Sequence, residues 1–121
     1  FLDVTQMIPA RAACRMMGNC YIELRNSREV LVVKRGGHWG IPDWAEYKYL
    51  DFGEGAKLFK AFVRGCGKIT VKAEENRELC KVSFDSEELS EIMTPVAEIQ
   101  GLHTIWLFFE GEFEIDYLIF I

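Results

Sequence analysis

The sequence predicts an all-β domain, an antiparallel sandwich or barrel of about nine strands with little or no helix. Three observations carry that expectation. The apolar segments are short and closely spaced, several alternate with polar residues at period two, and Gly, Pro, Asn, Asp or charged clusters separate them. At 121 residues, half of them hydrophobic and 27% charged, the chain has single-domain length and ordinary globular composition. No repeat and no Ser/Gly/Pro-rich linker divides it, so residues 1–121 are read as one domain.

The first strands expected are Tyr21–Leu24 and Val30–Val33, short apolar runs on either side of a polar turn. In Trp44–Leu50, Tyr47 and Tyr49 oppose Glu46 and Lys48, the pattern of a strand with one wet face. Leu58–Val63 follows, and then Lys68–Ala73, where Ile69, Val71 and Ala73 oppose Thr70, Lys72 and Glu74. Glu74-Glu75-Asn76-Arg77 is a polar hairpin connection to Leu79–Phe84. Ser86–Glu91 is the one segment read as a helical turn, capped by Asp85 or Ser86 with Glu87 and Glu88 near its positive end. Ile92–Val96 is the next strand. His103–Phe109 includes Ile105-Trp106-Leu107-Phe108-Phe109, apolar on both faces, which predicts a central strand whose second face is covered or lines a groove. Glu110-Gly111-Glu112 is read as a turn before the last strand, Phe113–Ile121.

Charge and motifs narrow the function. With 14 Lys plus Arg against 19 Asp plus Glu, the net charge is −5 and the basic residues are scattered, which argues against a nucleic-acid partner. The longest apolar runs fall far short of the roughly 18 to 20 residues of a membrane span, so no membrane partner is expected. Gly36-Gly37 and Gly65-Cys66-Gly67 lack the spacing of a phosphate loop, and His38 and His103 have no arranged nucleophile. Glu112, Glu114 and Asp116 alternate on one strand face, and a charged outer face explains them more simply than a glycosidase pair. The domain is therefore read as non-catalytic.

Cys14, Cys20, Cys66 and Cys80 fit no zinc spacing and are read as mostly buried thiols. They favour an intracellular origin, although secreted or cytoplasmic localisation depends on the parent protein. The opening Phe1-Leu2-Asp3-Val4 reads as a module excised from a larger multidomain protein.

The most informative loop is Lys34-Arg35-Gly36-Gly37-His38-Trp39-Gly40-Ile41-Pro42-Asp43-Trp44, which sets two tryptophans among Gly and Pro at a sandwich end. An exposed indole offers a flat apolar surface for the C–H face of a sugar ring. Asp43-Trp44-Ala45-Glu46-Tyr47-Lys48-Tyr49-Leu50-Asp51-Phe52-Gly53-Glu54-Gly55-Ala56 resembles the G-D-W-x-E-Y-x-x-V-D-F-G-x-G-A segment of family 6 carbohydrate-binding modules. Gly101–Gly111 followed by Ile115–Phe120 resembles that family's closing motif, G-x-H-x-L-x-L-x-F-x-G and N-L-D-W-F-x-F.

The resemblance implies a jelly-roll β-sandwich that is attached to a glycoside hydrolase and binds β-glycans such as xylan, arabinoxylan or β-glucan. It implies two sugar sites, one among the end loops and one on the concave sheet face. Its partners would be a polysaccharide or oligosaccharide and an adjacent catalytic domain in the same chain. The candidate sugar contacts are Trp39 and Trp44 as stacking rings, His38 beside them, and Glu114, which stands where the family has Asn. Leu89 stands where a second aromatic is expected. The family's structural Ca²⁺ would involve Asp116, but Arg11 stands near the expected acidic ligand and is read as pairing with Asp116 in the ion's place, so no cofactor is expected. These departures carry an alternative reading, a degenerate module with a structural role between domains.

Overall fold

The computed structural model describes residues 2–3, 6–34 and 43–121. The strands are β1 (Leu2–Asp3), β2 (Ile8–Pro9), β3 (Arg15–Met17), β4 (Cys20–Arg25), β5 (Arg28–Val33), β6 (Asp43–Asp51), β7 (Leu58–Ala73), β8 (Arg77–Pro95) and β9 (Leu102–Phe120). Ala10–Ala12 and Glu74–Asn76 form single 3-10 turns. All nine strands of the described residues belong to one hydrogen-bonded sheet, antiparallel except where β1 runs parallel to β6.

That sheet becomes a sandwich because β7, β8 and β9 are long and bend. The first part of β9 pairs with β6, with Trp44 opposite Phe108 and Glu46 opposite Trp106. Its second part pairs with β5, with Leu31 opposite Ile115 and Val32 opposite Glu114. Strand β7 follows β9 through both parts. The sheet thus folds into a β6 half and a β5 half whose apolar sides meet. Ala45, Tyr47, Ile69, Val71, Ile105 and Leu107 from one half share a single buried cluster with Leu31, Val33, Phe59, Val63, Ile115 and Phe120 from the other.

The bend is built where Gly67 lies opposite Gly111. A Cβ on Gly111 would come 2.6 Å from the Gly67 Cα, and Gly111 has a φ of 111°, which side-chain-bearing residues rarely adopt. The expected turn at Glu110-Gly111-Glu112 is therefore not a turn. The glycine lets two strands cross closely while β9 continues, so its expected strands His103–Phe109 and Phe113–Ile121 are one. The same holds for Leu58–Val63 with Lys68–Ala73, which are joined in β7.

The helical turn expected at Ser86–Glu91 is corrected too: these residues lie within β8, which joins Leu79–Phe84 to Ile92 and beyond. They bulge, since β7 advances from Val63 to Gly65 while β8 passes from Ser90 to Ser86. The Ser86 hydroxyl donates to the Glu88 carbonyl at 2.6 Å and meets the Ser90 hydroxyl at 2.7 Å. Ser side chains here satisfy the backbone of a bulge rather than a helix start.

The expected alternation holds at Ile69, Val71 and Ala73, all buried. It fails in β6, where a bulge between Tyr47 and Leu50 leaves Tyr47 buried and turns Tyr49 (φ 60°) out to solvent. The Tyr47 hydroxyl donates to the Ala10 carbonyl at 2.7 Å, and burial pushes its pKa up. All four thiols are free, but only Cys80 is buried; Cys20 is half-buried, and Cys14 and Cys66 are exposed. Burial, the leading cause, pushes Cys80 up to about 12 and Cys20 up to about 11.

Candidate functional site

With Ala45, Tyr47, Ile105, Leu107, Ile69 and Val71 committed to the core, the period-two geometry of strands turns Trp44, Glu46, Trp106, Phe108, Thr70 and Lys72 to the outer face of the β6 half. This explains the run that is apolar on both sides: Leu107 is core, and Trp106 and Phe108 are half-buried on the far face. They form a groove of about 310 Å³ with Trp44, Lys72, Glu75 and Asn76.

Cations fix two of the three rings. The Arg15 guanidinium lies over Trp44, 5.6 Å from the ring centroid, and pairs with Glu46, which is only 2% exposed. Lys72 Nζ lies 5.0 Å from the Phe108 centroid and donates to Asn76 Oδ1 at 2.9 Å. Among the described residues, no cation lies over the Trp106 ring.

The hairpin turn supplies the groove's remaining polar groups. Glu75 and Asn76 have φ of 61° and 59°, left-handed backbone within the three-residue loop between the paired Ala73 and Arg77, a conformation that Asn accepts readily. The preceding Glu74 ties the turn to β9: its Oε2 accepts the Thr104 N–H at 2.9 Å and its Oε1 faces His103 Nδ1 at 2.8 Å. Burial pushes the Glu74 carboxyl up, but the N–H of Thr104, its own N–H and His103 outweigh that and hold it below the usual range. Flat apolar rings flanked by an ammonium, a carboxylate and an amide can hold a ring that has an apolar face and a hydroxyl edge.

A second groove, about 460 Å³, lies near the end of the β5 half, between Lys34 and Glu112 on one side and Asp85 and Ser86 on the other. Glu114 lies at its floor, 5% exposed, paired with Arg64 and 3.6 Å from Arg25 Nη1. Arg25 also reaches Glu23 at 2.6 Å, which makes an alternating chain of charges. Among its described lining residues the only ring is Phe113, which is buried. Leu89 is exposed and is not part of this lining.

A third groove holds Asp116. Its Oδ2 accepts from Arg28 at 2.7 Å, whereas Arg11 faces Glu29 at 3.7 Å. The expected Arg11–Asp116 pair is therefore corrected. Arg28 flanks the β4–β5 turn and reaches across to β9, and Arg11 finds a carboxylate on β5 instead. The surroundings of Asp116 do not fit a Ca²⁺ ion, which needs several oxygen donors: a guanidinium occupies its carboxylate, and among the described residues no group of three or more His, Cys, Asp or Glu could hold a metal.

Of the candidate sugar contacts, Trp44 and Glu114 are not brought together; one is on the β6 half and the other on the β5 half. His38 and Trp39 lie outside the described residues. Glu114 and Asp116 are on an outer face as expected, but covered by arginines rather than freely solvated. Trp106, Phe108, Lys72, Glu75 and Asn76 were not singled out from the sequence as ligands. The two-faced apolar run and the polar hairpin turn were the signals that contained them.

No family model and no curated protein matches the sequence. Among solved structures, the chain superposes on a family 6 carbohydrate-binding module from Clostridium stercorarium in complex with cellobiose at a TM-score of 0.85 and 20% identity, covering 98% of this chain and 95% of that one. It matches a β-1,3-glucan-binding family 6 module from Bacillus halodurans at a TM-score of 0.83 and 16% identity, covering 99% and 98%. A glycoside hydrolase family 43 arabinoxylan arabinofuranohydrolase from Bacillus subtilis, in complex with cellotetraose, gives 0.83 and 23%, covering 98% of this chain but 27% of that one. The chain has the fold of family 6 carbohydrate-binding modules, an all-β sandwich.

Proposed function

We propose that this chain is a non-catalytic carbohydrate-binding module that holds a β-glycan in the groove on the outer face of its β6 half. The observation that carries this reading is the grouping of Trp44, Trp106 and Phe108 with Lys72, Glu75 and Asn76 on one wall of the sheet. Trp106 is the platform on which a sugar ring stacks, since Arg15 and Lys72 already engage the other two rings. Glu75 accepts from sugar hydroxyls, and Asn76 and Lys72 donate to them. Xylan, arabinoxylan and β-glucan are the substrate classes proposed, in line with the oligosaccharides bound by proteins of the same fold. Residues 1–121 act as one module beside a glycoside hydrolase domain, the arrangement suggested by the match to part of a larger hydrolase chain.

The loop residues Trp39 and His38, with Glu114, are proposed as a further sugar contact at the end of the sandwich. The charged lining around Glu114 favours the alternative there, a surface that packs against a neighbouring domain without stacking sugar. Affinity electrophoresis on xylan, arabinoxylan and β-glucan gels tests both ideas. Retardation that is lost on Trp106→Ala supports the sheet-face site, retardation that survives it transfers binding to the loop end, and none on any gel leaves the structural role.

A further inference from the structure

Glu75 and Asn76 can serve a ligand only if their turn is held against the groove, and His103 is one of the groups that hold it, beside Thr104 and Lys72. Its two ring nitrogens both face acceptors: Nδ1 meets Glu74 Oε1 at 2.8 Å and Nε2 meets the Gln100 carbonyl at 2.7 Å. A neutral imidazole has one N–H and one lone pair, so it satisfies one of these contacts and sets a lone pair against an oxygen at the other. Only the imidazolium donates to both. Glu74, in turn, is bonded through Oε2 to the Thr104 N–H, so the ring, the carboxylate and the start of β9 form a clasp on the turn that carries Glu75 and Asn76.

We propose that protonated His103 is a positioning residue for the glycan groove, and that its loss of a proton loosens the Glu74–Asn76 turn and lowers glycan affinity. This rests on the sheet-face reading above. The proton leaves to solvent and Nδ1 or Nε2 becomes an acceptor facing an acceptor. The other group that contacts the ring does not compensate: the Phe52 ring lies edge-on at 6.1 Å between centroids, and among the described residues Glu74 is the titratable group bonded to the imidazole.

The experiment is calorimetric titration with cellotetraose and with soluble β-1,3-glucan from about pH 5 to about pH 8, the interval in which imidazoles exchange their second proton. The intact protein should lose affinity about fivefold as pH rises, the worth of one hydrogen bond. Glu74→Gln supplies the discriminating arm. An amide at that position still accepts the Thr104 N–H and can donate to a bare Nδ1, so it favours the neutral ring, and the pH dependence should flatten or reverse. A merely structural His103 would not change the sign of that slope. In parallel, the amide resonances of Glu75 and Asn76 should titrate together with the His103 ring. Affinity that is flat with pH in the intact protein, or turn resonances that ignore the ring, overturns the proposal. Absence of glycan binding at every pH overturns the sheet-face reading instead, and the resonances then still decide whether the clasp exists.

Discussion

At the scale of single residues, the difference among the groove's three rings has a consequence that a count of aromatics would miss. Trp44 is held by Arg15 and Phe108 by Lys72, whereas Trp106 has no such partner among the described residues. Aromatic stacking contributes on the order of 1 kcal/mol or more at a contact, so Trp106→Ala should weaken glycan binding about tenfold or more, with Trp44→Ala weakening it less. Calorimetry on both variants, with melting curves to confirm folding, checks the order; equal losses would mean that Arg15 does not occupy Trp44. The sequence pointed to Trp44 through its motif and left Trp106 inside an apolar run. Burial on both faces of a strand reads the same whether the second face is covered or open to a ligand. Only the register, which sets Trp106 beside Lys72 and Glu46, separates those cases.

At the scale of elements, the strands expected from hydrophobic pattern are present, yet three pairs of them are single strands in β7, β8 and β9. The cause is specific. A glycine between polar residues has the same local signature in a hairpin as in a strand that bends where another backbone passes close, and Gly111 is the second case. Gly111→Ala must push Gly67 away while holding a positive φ, and should cost about 2–4 kcal/mol. Chemical denaturation measures it; a change below about 0.5 kcal/mol would show that the crossing relaxes freely. The short strands β1 to β3 were not legible, because two or three residues carry no periodicity and their pairing is set by β6 and β9. The Glu74–Asn76 turn was legible as a hairpin, but not its clasp. Because Glu74 is held below the usual carboxylate range, its contribution to stability is present above the ordinary carboxylate pKa and is lost as pH falls through the lowered folded value. Glu74→Gln should therefore blunt the acid sensitivity of unfolding, which denaturation between about pH 2 and about pH 5 would register.

At the scale of the whole molecule, the question is what ties the edge segments to the long strands. The fold is that of family 6 modules, for which the sequence resemblance implies a calcium ion at the last strand, but Asp116 is already engaged by Arg28 at 2.7 Å. That pair links the β4–β5 turn to β9, the strand that contributes to both halves of the sandwich. Arg11, the residue expected from the sequence to do this, faces Glu29 on β5, a partner that spacing along the chain could not distinguish. Removing Arg28 leaves Asp116, 9% exposed, without its cation, and a carboxylate so covered loses about 1–3 kcal/mol when its partner is deleted. Arg28→Ala should accordingly lower Tm, whereas excess chelator should leave the Tm of the intact protein where it is. Added Ca²⁺ should not raise it either, because the guanidinium holds the carboxylate that the ion would need. A drop in Tm on chelation that calcium restores would show that the ion and not Arg28 secures this strand. If Ca²⁺ raised the Tm of Arg28→Ala alone, the acidic site would survive beneath the arginine, with the guanidinium as its present occupant.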